Sequence, residues 1–162
     1  MRRRLNIVQI LTACSPFAAA HIAALEAQQM STSITLTFRW PMGHRILGLE
    51  GGGEKCRNIH GHNWIADVEL PNDDGELEFG AVKSAVGGYI DGMLDHGFAV
   101  AHDDPFRGYL AAEDLRHLVM DTKPTTEAIA AHLASVTAET VGRWPLSVRV
   151  QEGYRNAATW RA

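Results

Sequence analysis

Gly53-Glu54-Lys55-Cys56-Arg57-Asn58-Ile59-His60-Gly61-His62-Asn63-Trp64 places one thiol and two imidazoles within seven residues. If the segment runs into a strand, His60 and His62 project from the same face, because side chains alternate with period two. Two ligands then aim at one point. Gly61 between them carries no side chain, so a ring or a substrate can approach the backbone closely. Two neutral imidazoles suit zinc, but a firmly held metal needs a third or fourth ligand, and a catalytic site keeps one position open. The best third candidate is His44, in Phe38-Arg39-Trp40-Pro41-Met42-Gly43-His44-Arg45 at the end of the preceding strand-like run. The competing reading is two surface histidines beside an unrelated buried thiol. A chain with eight histidines contains short His motifs by chance.

Outward from that segment, hydrophobic period sets the organisation. Ser33 to Trp40 alternates apolar and polar residues and is rich in β-formers, as a half-buried strand requires. Asn63 to Leu70 continues from the histidines as its antiparallel partner and ends at Pro71-Asn72-Asp73-Asp74-Gly75. Between Gly80 and Leu94, Val82, Val86, Ile90 and Leu94 recur once per helical turn. A second helix is expected over Thr126 to Val141, where a Thr of Pro124-Thr125-Thr126-Glu127 caps it and Glu127 favours its positive end. Short strands at Leu146 to Val150 and Ala158 to Trp160 close the chain. Between the helices, Asp103-Asp104-Pro105 reads as a helix start, Phe106 to Asp114 as a short helix and Leu118 to Met120 as an extra strand. The sum is ββααββ, an α+β pattern.

Composition sets bounds. A chain of 162 residues, 46% hydrophobic and 21% charged, is one ordinary globular domain. Its formal net charge of −4 argues against a general nucleic-acid binder. No stretch is long and apolar enough to span a bilayer. Cys14 and Cys56 could pair, but a reducing compartment with separate roles fits equally well. Residues 1–30 imitate a signal peptide, with Arg2-Arg3-Arg4 before an apolar run, yet Asn6, Gln9, Thr12, Ser15 and Pro16 interrupt that run. They are read as a loose N-terminal extension or the product of a misplaced start codon, ahead of one domain over 31–162.

Five pieces, Phe38-x-Trp40-x-x-x-His44, Cys56-x-x-x-His60-Gly61-His62, Leu94-Asp95-His96, Pro124-Thr125-Thr126-Glu127 and Val148-x-Val150-x-Glu152, stand in one order along the chain. In that order the chain resembles the 6-pyruvoyl-tetrahydropterin synthase family over about residues 33–160. The three residues between Cys56 and His60 make it most similar to the 6-carboxy-tetrahydropterin synthase branch, which acts in queuosine biosynthesis. Departures are Met42-Gly43 in place of a small pair, Pro41 in place of Asp, Glu78-Phe79 in place of Asp-Phe, and Glu152-Gly153 in place of Glu-Thr. The stretch from His96 to Pro124 is long, and an Asn after the Asp-His is missing.

The resemblance implies a tunnelling fold, an antiparallel ββααββ sheet with helices on one face. Subunits join into an oligomeric barrel, expected to be a cytoplasmic hexamer with its sites at subunit borders. It implies zinc on His44, His60 and His62, and a pterin triphosphate as substrate, with neither nucleic acid nor membrane as a partner. Cys56 would be the proton-transferring base, flanked by Lys55 and Arg57, although a packed structural Cys is the commoner fate of a lone thiol. Asp95 would orient His96 as a proton carrier; the alternative is a His at a helix C-terminus offsetting the dipole. Glu152 would anchor the pterin through its two-donor edge, against the reading of an exposed edge-strand Glu. Glu127 either helps that pocket or only stabilises its helix. Arg45, Lys55, Arg57 and Lys123 are the cations near enough in sequence for a triphosphate.

Overall fold

The computed structural model describes residues 31–162. The reading of residues 1–30 as a loose or misassigned extension falls outside the described residues. Two long strands carry the fold, β1 (Ser33–His44) and β2 (His60–Pro71), paired antiparallel along their whole length. On β1 every second residue from Ile34 to His44 is buried, the pattern of a strand with one face on a core. Both strands reach further than hydrophobic alternation alone indicated. β1 runs through Pro41 to His44, and β2 starts at His60 itself, so the histidines are part of the ladder.

Helix α1 (Phe79–Tyr89) follows, its N-terminus capped by the Glu78 carboxylate, which accepts from Ala81 N at 2.9 Å. The acid at position 78 therefore does a capping job that Asp can also do. The helix runs into a π-turn, Ile90–Leu94, in which Asp95 N donates to Ile90 O at 2.8 Å. Expected as one continuous helix, this stretch widens in its last turn, and π-turns of this kind recur at functional sites. Next come β3 (Gly97–Ala101), α2 (Phe106–Ala112), β4 (His117–Met120), α3 (Thr126–Val141), β5 (Ser147–Glu152) and β6 (Asn156–Arg161). The bounds of α3 agree with the sequence reading. Thr125 caps its start by accepting from Ala128 N, and Gly142, in the left-handed region at φ 76°, ends it.

The six strands form one sheet in the order β4-β3-β1-β2-β5-β6. The expected all-antiparallel sheet is corrected here to a mixed one, since β3 runs parallel to β1 and β4 parallel to β3. β3 is also the strand the periodicity did not reveal. Phe98-Ala99-Val100-Ala101 is a short apolar run, and period alone does not separate such a run from a helix segment. Helices α1 and α3 cover one face, where Val82, Val86, Ile129 and Leu133 pack on Leu36, Phe38, Ala66, Val68, Val148 and Val150. The other face is polar. There Thr37 Oγ1 donates to Asp67 Oδ1 at 2.7 Å and Ser147 Oγ to Glu69 Oε2 at 2.9 Å.

Candidate metal centre

The β1/β2 register sets His44 directly opposite His60 and Met42 opposite His62; the β2/β5 register sets Trp64 opposite Glu152. Because facing residues in an antiparallel pair share a side of the sheet, all four polar groups converge at the ends of three neighbouring strands. One potential ligand atom from each of His44, His60, His62 and Glu152 lies within 4.8 Å of the other three. The sequence-named trio is thus brought together, and Glu152 with it.

Each ring is oriented by its surroundings. His44 Nδ1 donates to Pro124 O at 2.9 Å and His60 Nδ1 to Asn58 O at 2.8 Å, which leaves the Nε2 lone pair of each ring free. His44 is 1% exposed, and its Nε2 has no hydrogen-bond partner. His62 Nε2 is also buried without a hydrogen bond, although Glu152 Oε1 stands 2.9 Å away. Trp64, fully buried below, meets both His44 and His62 edge-on. Burial holds His44 and His62 below the ordinary imidazole range, against the opposing pull of Glu152. The neutral imidazole is the ligating form. Two orphaned, buried Nε2 atoms beside a third imidazole and a carboxylate are costly unless something binds them. The donor set suits zinc, whose bonds of about 2.0–2.1 Å place neighbouring ligand atoms about 3.3 Å apart. Glu152 Oε1 lies 2.9 Å from His62 Nε2 and 3.8 Å from His44 Nε2, on either side of that spacing.

A partner that sequence reasoning missed is Thr126, whose hydroxyl donates to Glu152 Oε2 at 2.5 Å. The Thr-Thr pair was legible as a cap signal, and the structure divides the work: Thr125 caps α3 while Thr126 faces Glu152. Glu127 is exposed on the first turn of α3 and is not in the group.

Cys56 sits half-buried in a 3₁₀ turn, Glu54–Arg57, outside the group of ligand atoms. Its backbone ties the turn to the chain leaving the centre, since Ile46 N donates to Cys56 O at 2.7 Å. Asp95 and His96 leave the π-turn beside β1, where His96 N donates to Pro41 O at 2.9 Å. Asp95 Oδ2 accepts from His96 Nδ1 at 2.9 Å, yet the His96 side chain is 79% exposed and does not join the histidine group within the chain. His96 also holds φ 56°, a left-handed backbone that costs a non-glycine residue about 1–2 kcal/mol.

Among the named cations, Arg45 is bound to Asp104 through two hydrogen bonds and Lys123 Nζ donates to Gly48 O. Lys55 and Arg57 form no ion pair within the described residues. A cavity of 410 Å³ opens on the centre, lined by Gly61, His62, Glu152, Tyr154, Arg155 and Asn156. The Met42-Gly43 departure also has a structural reason. Met42 is buried in the core, and a Cβ at Gly43 would fall 2.5 Å from the Phe98 ring, so β3 docks only against a glycine there.

This sheet, backed by helices and holding a histidine-rich centre at its strand ends, is the architecture of a pterin synthase of the tunnelling-fold class. Residues 33–162 match the family model described as 6-pyruvoyl tetrahydropterin synthase, and the chain belongs to that family. It is 31% identical over 123 residues to the 6-carboxy-5,6,7,8-tetrahydropterin synthase of Aquifex aeolicus, covering 62% of this chain and 75% of that protein. To the protein of the same name from Rickettsia felis it is 27% identical over 106 residues, covering 61% and 75%. Among solved structures, an uncharacterized protein of Wolinella succinogenes superposes with a TM-score of 0.68 at 21% identity, covering 82% of this chain and 98% of that one. The 6-pyruvoyltetrahydropterin synthase of Plasmodium vivax does so at 0.60 and 18%, with the same coverage. These likenesses bear out the fold.

Proposed function

We propose that the chain is a zinc-dependent lyase that converts 7,8-dihydroneopterin triphosphate to 6-carboxy-5,6,7,8-tetrahydropterin, in the queuosine pathway. The observation that carries this reading is the convergence of His44, His60, His62 and Glu152 on one point, with His62 and Glu152 on the wall of a cavity, in a chain whose curated relatives bear the carboxy-synthase name.

His44, His60 and His62 would hold the metal through their Nε2 atoms. Bound there, zinc supplies Lewis-acid polarisation of a substrate oxygen. Cys56 is the base that accepts the side-chain proton, as a thiolate, with Lys55 and Arg57 beside it. Asp95 fixes His96 Nδ1, so His96 Nε2 is the atom left to carry a proton. Glu152 accepts from the 2-amino and N3–H donors of the pterin, with Thr126 holding one of its oxygens. Lys55 and Arg57 serve the triphosphate. The exposure of His96, and of Tyr154 at 93% on the cavity wall, supports completion of each site by a second subunit. The reading therefore includes a homo-oligomer, a hexamer with sites at its borders, acting in the cytoplasm. No helix among the described residues is long and apolar enough to cross a membrane.

Incubating the zinc-loaded protein with 7,8-dihydroneopterin triphosphate and weighing the products tests the reading. A 6-carboxy pterin with acetaldehyde is expected. A product that keeps all side-chain carbons would replace it with the pyruvoyl reaction, and no turnover would remove the enzyme assignment.

A further inference from the structure

The π-turn ends abruptly. Asp95 leaves it in an extended direction, at ψ 124°, and His96 bends the chain again at φ 56°. Carbonyls at such a helix end have no partner further along the helix. Two of them are taken by a side chain 25 and 21 positions later in sequence: Arg116 Nη1 donates to Asp91 O at 2.8 Å and to Asp95 O at 2.6 Å. A cation at a helix C-terminus is favoured by the dipole as well. Arg116 is itself held in place. Its backbone carbonyl accepts from Phe98 N at 3.1 Å, and a Cβ at Gly97 would lie 3.3 Å from Arg116 Cγ, so the stem passes close over that glycine. Arg116 forms no ion pair within the described residues. Its donors are spent on main-chain oxygens.

We propose that Arg116 is a positioning residue for the Asp95-His96 pair, a clamp that fixes the backbone from which both side chains project. The proposal rests on the reading of His96 as the proton carrier. An imidazole whose side chain is 79% exposed has little packing to hold it, so its aim depends on the bond from Asp95 Oδ2 and on the chain beneath it. That chain has two fixed points: His96 N on Pro41 O at 2.9 Å, and Asp95 O on Arg116. Binding Asp91 O as well ties Asp95 to the turn it has just left. Arg116 is not on the wall of the cavity that opens on the centre, so it acts through the pair and not on the substrate. The long stretch between His96 and Pro124 thereby has a task, because it brings β4 alongside β3 and delivers the guanidinium to the π-turn.

The test uses the full zinc-loaded chain and two variants. Arg116→Met keeps a stem of similar bulk and removes every donor; Arg116→Lys keeps the charge on a single ammonium. Arg116→Met should bind one zinc, hold KM for 7,8-dihydroneopterin triphosphate within twofold and lose tenfold or more in kcat, because the loss falls on proton transfer and not on binding. Hydrogen exchange of the intact protein, read on peptides covering 90–98, should quicken about tenfold or more in this variant while the β1/β2 ladder exchanges as before. Arg116→Lys should fall between parent and Arg116→Met in both kcat and exchange. Should Arg116→Met not fold, Arg116→Gln takes its place under the same expectations. A parent-like kcat in the donor-free variant would overturn the proposal, and so would a kcat loss without faster exchange at 90–98. A raised KM at unchanged kcat would put Arg116 on the substrate instead. Faster exchange across the whole sheet at unchanged kcat would make it a general brace, which also overturns the positioning role. Parent-like turnover in His96→Ala would remove the proton-carrier reading and the proposal with it, and the exchange at 90–98 would then report a clamp that serves stability alone.

Discussion

His96 concentrates several constraints in one residue, because it combines a hydrogen bond to Asp95, high exposure and a positive φ. Its backbone would be easier as glycine, so His96→Gly should leave folding stability unchanged or raise it by about 1 kcal/mol while turnover collapses. A variant that unfolds, or that still turns over, would show that the residue is kept for structure. Cys56→Ala should retain one zinc and lose turnover, because it removes proton transfer without touching the imidazoles. Metal analysis and product formation on the same sample check both halves; near-normal turnover would return Cys56 to packing. At this scale the three histidines and Glu152 were legible because strand period two and motif order point at them. Thr126 was not, since its partner lies 26 positions away in sequence and only the docking of α3 on β5 brings them together.

Elements differed in how far sequence revealed them. α3 was readable at both ends because a Thr and a Gly mark its termini. β3 was not, because its pairing with Met42-Gly43-His44 is a parallel, long-range contact that leaves no local trace. Removing the Thr125 cap by Thr125→Ala should cost about 1 kcal/mol of stability, read from the urea midpoint. Between α1 and α3, Tyr89 and His132 share a hydrogen bond of 2.6 Å, and burial holds His132 below the ordinary imidazole range. His44 and His62 are held low for the same reason. A folded-state imidazole below its unfolded value near ~6.5 binds fewer protons than the unfolded chain, so stability is lost as pH falls below about 6.5. The metal-free protein should therefore show a lower urea midpoint at pH 5.5 than at pH 7.5, and His132→Phe should flatten part of that slope. A midpoint independent of pH across this range would contradict the neutral assignment of these rings.

At the scale of the whole molecule, the outer strands of the sheet, β4 and β6, have no further strand paired to them among the described residues, and exposed Leu115, Val119 and Trp144 lie on or near them. Sheet edges of this kind are covered in stable proteins. If each site is completed across a subunit border, mixing inactive Cys56→Ala with inactive His96→Ala subunits under exchange conditions should restore part of the activity. Recovery is measured as product formed, and none despite proven exchange would place every catalytic group in one chain. The ladder between β1 and β2 also bears on how such a gene can change. An insertion of one codon inside either strand would turn every later side chain of that strand to the opposite face, taking imidazoles and core residues with it. Codons for the glycine-rich stretch 47–53 stand outside that ladder, so length can be gained or lost there while the ligands keep their places. Lineages descending from this sequence should therefore record their insertions and deletions ahead of Cys56 and leave the two strands uniform in length.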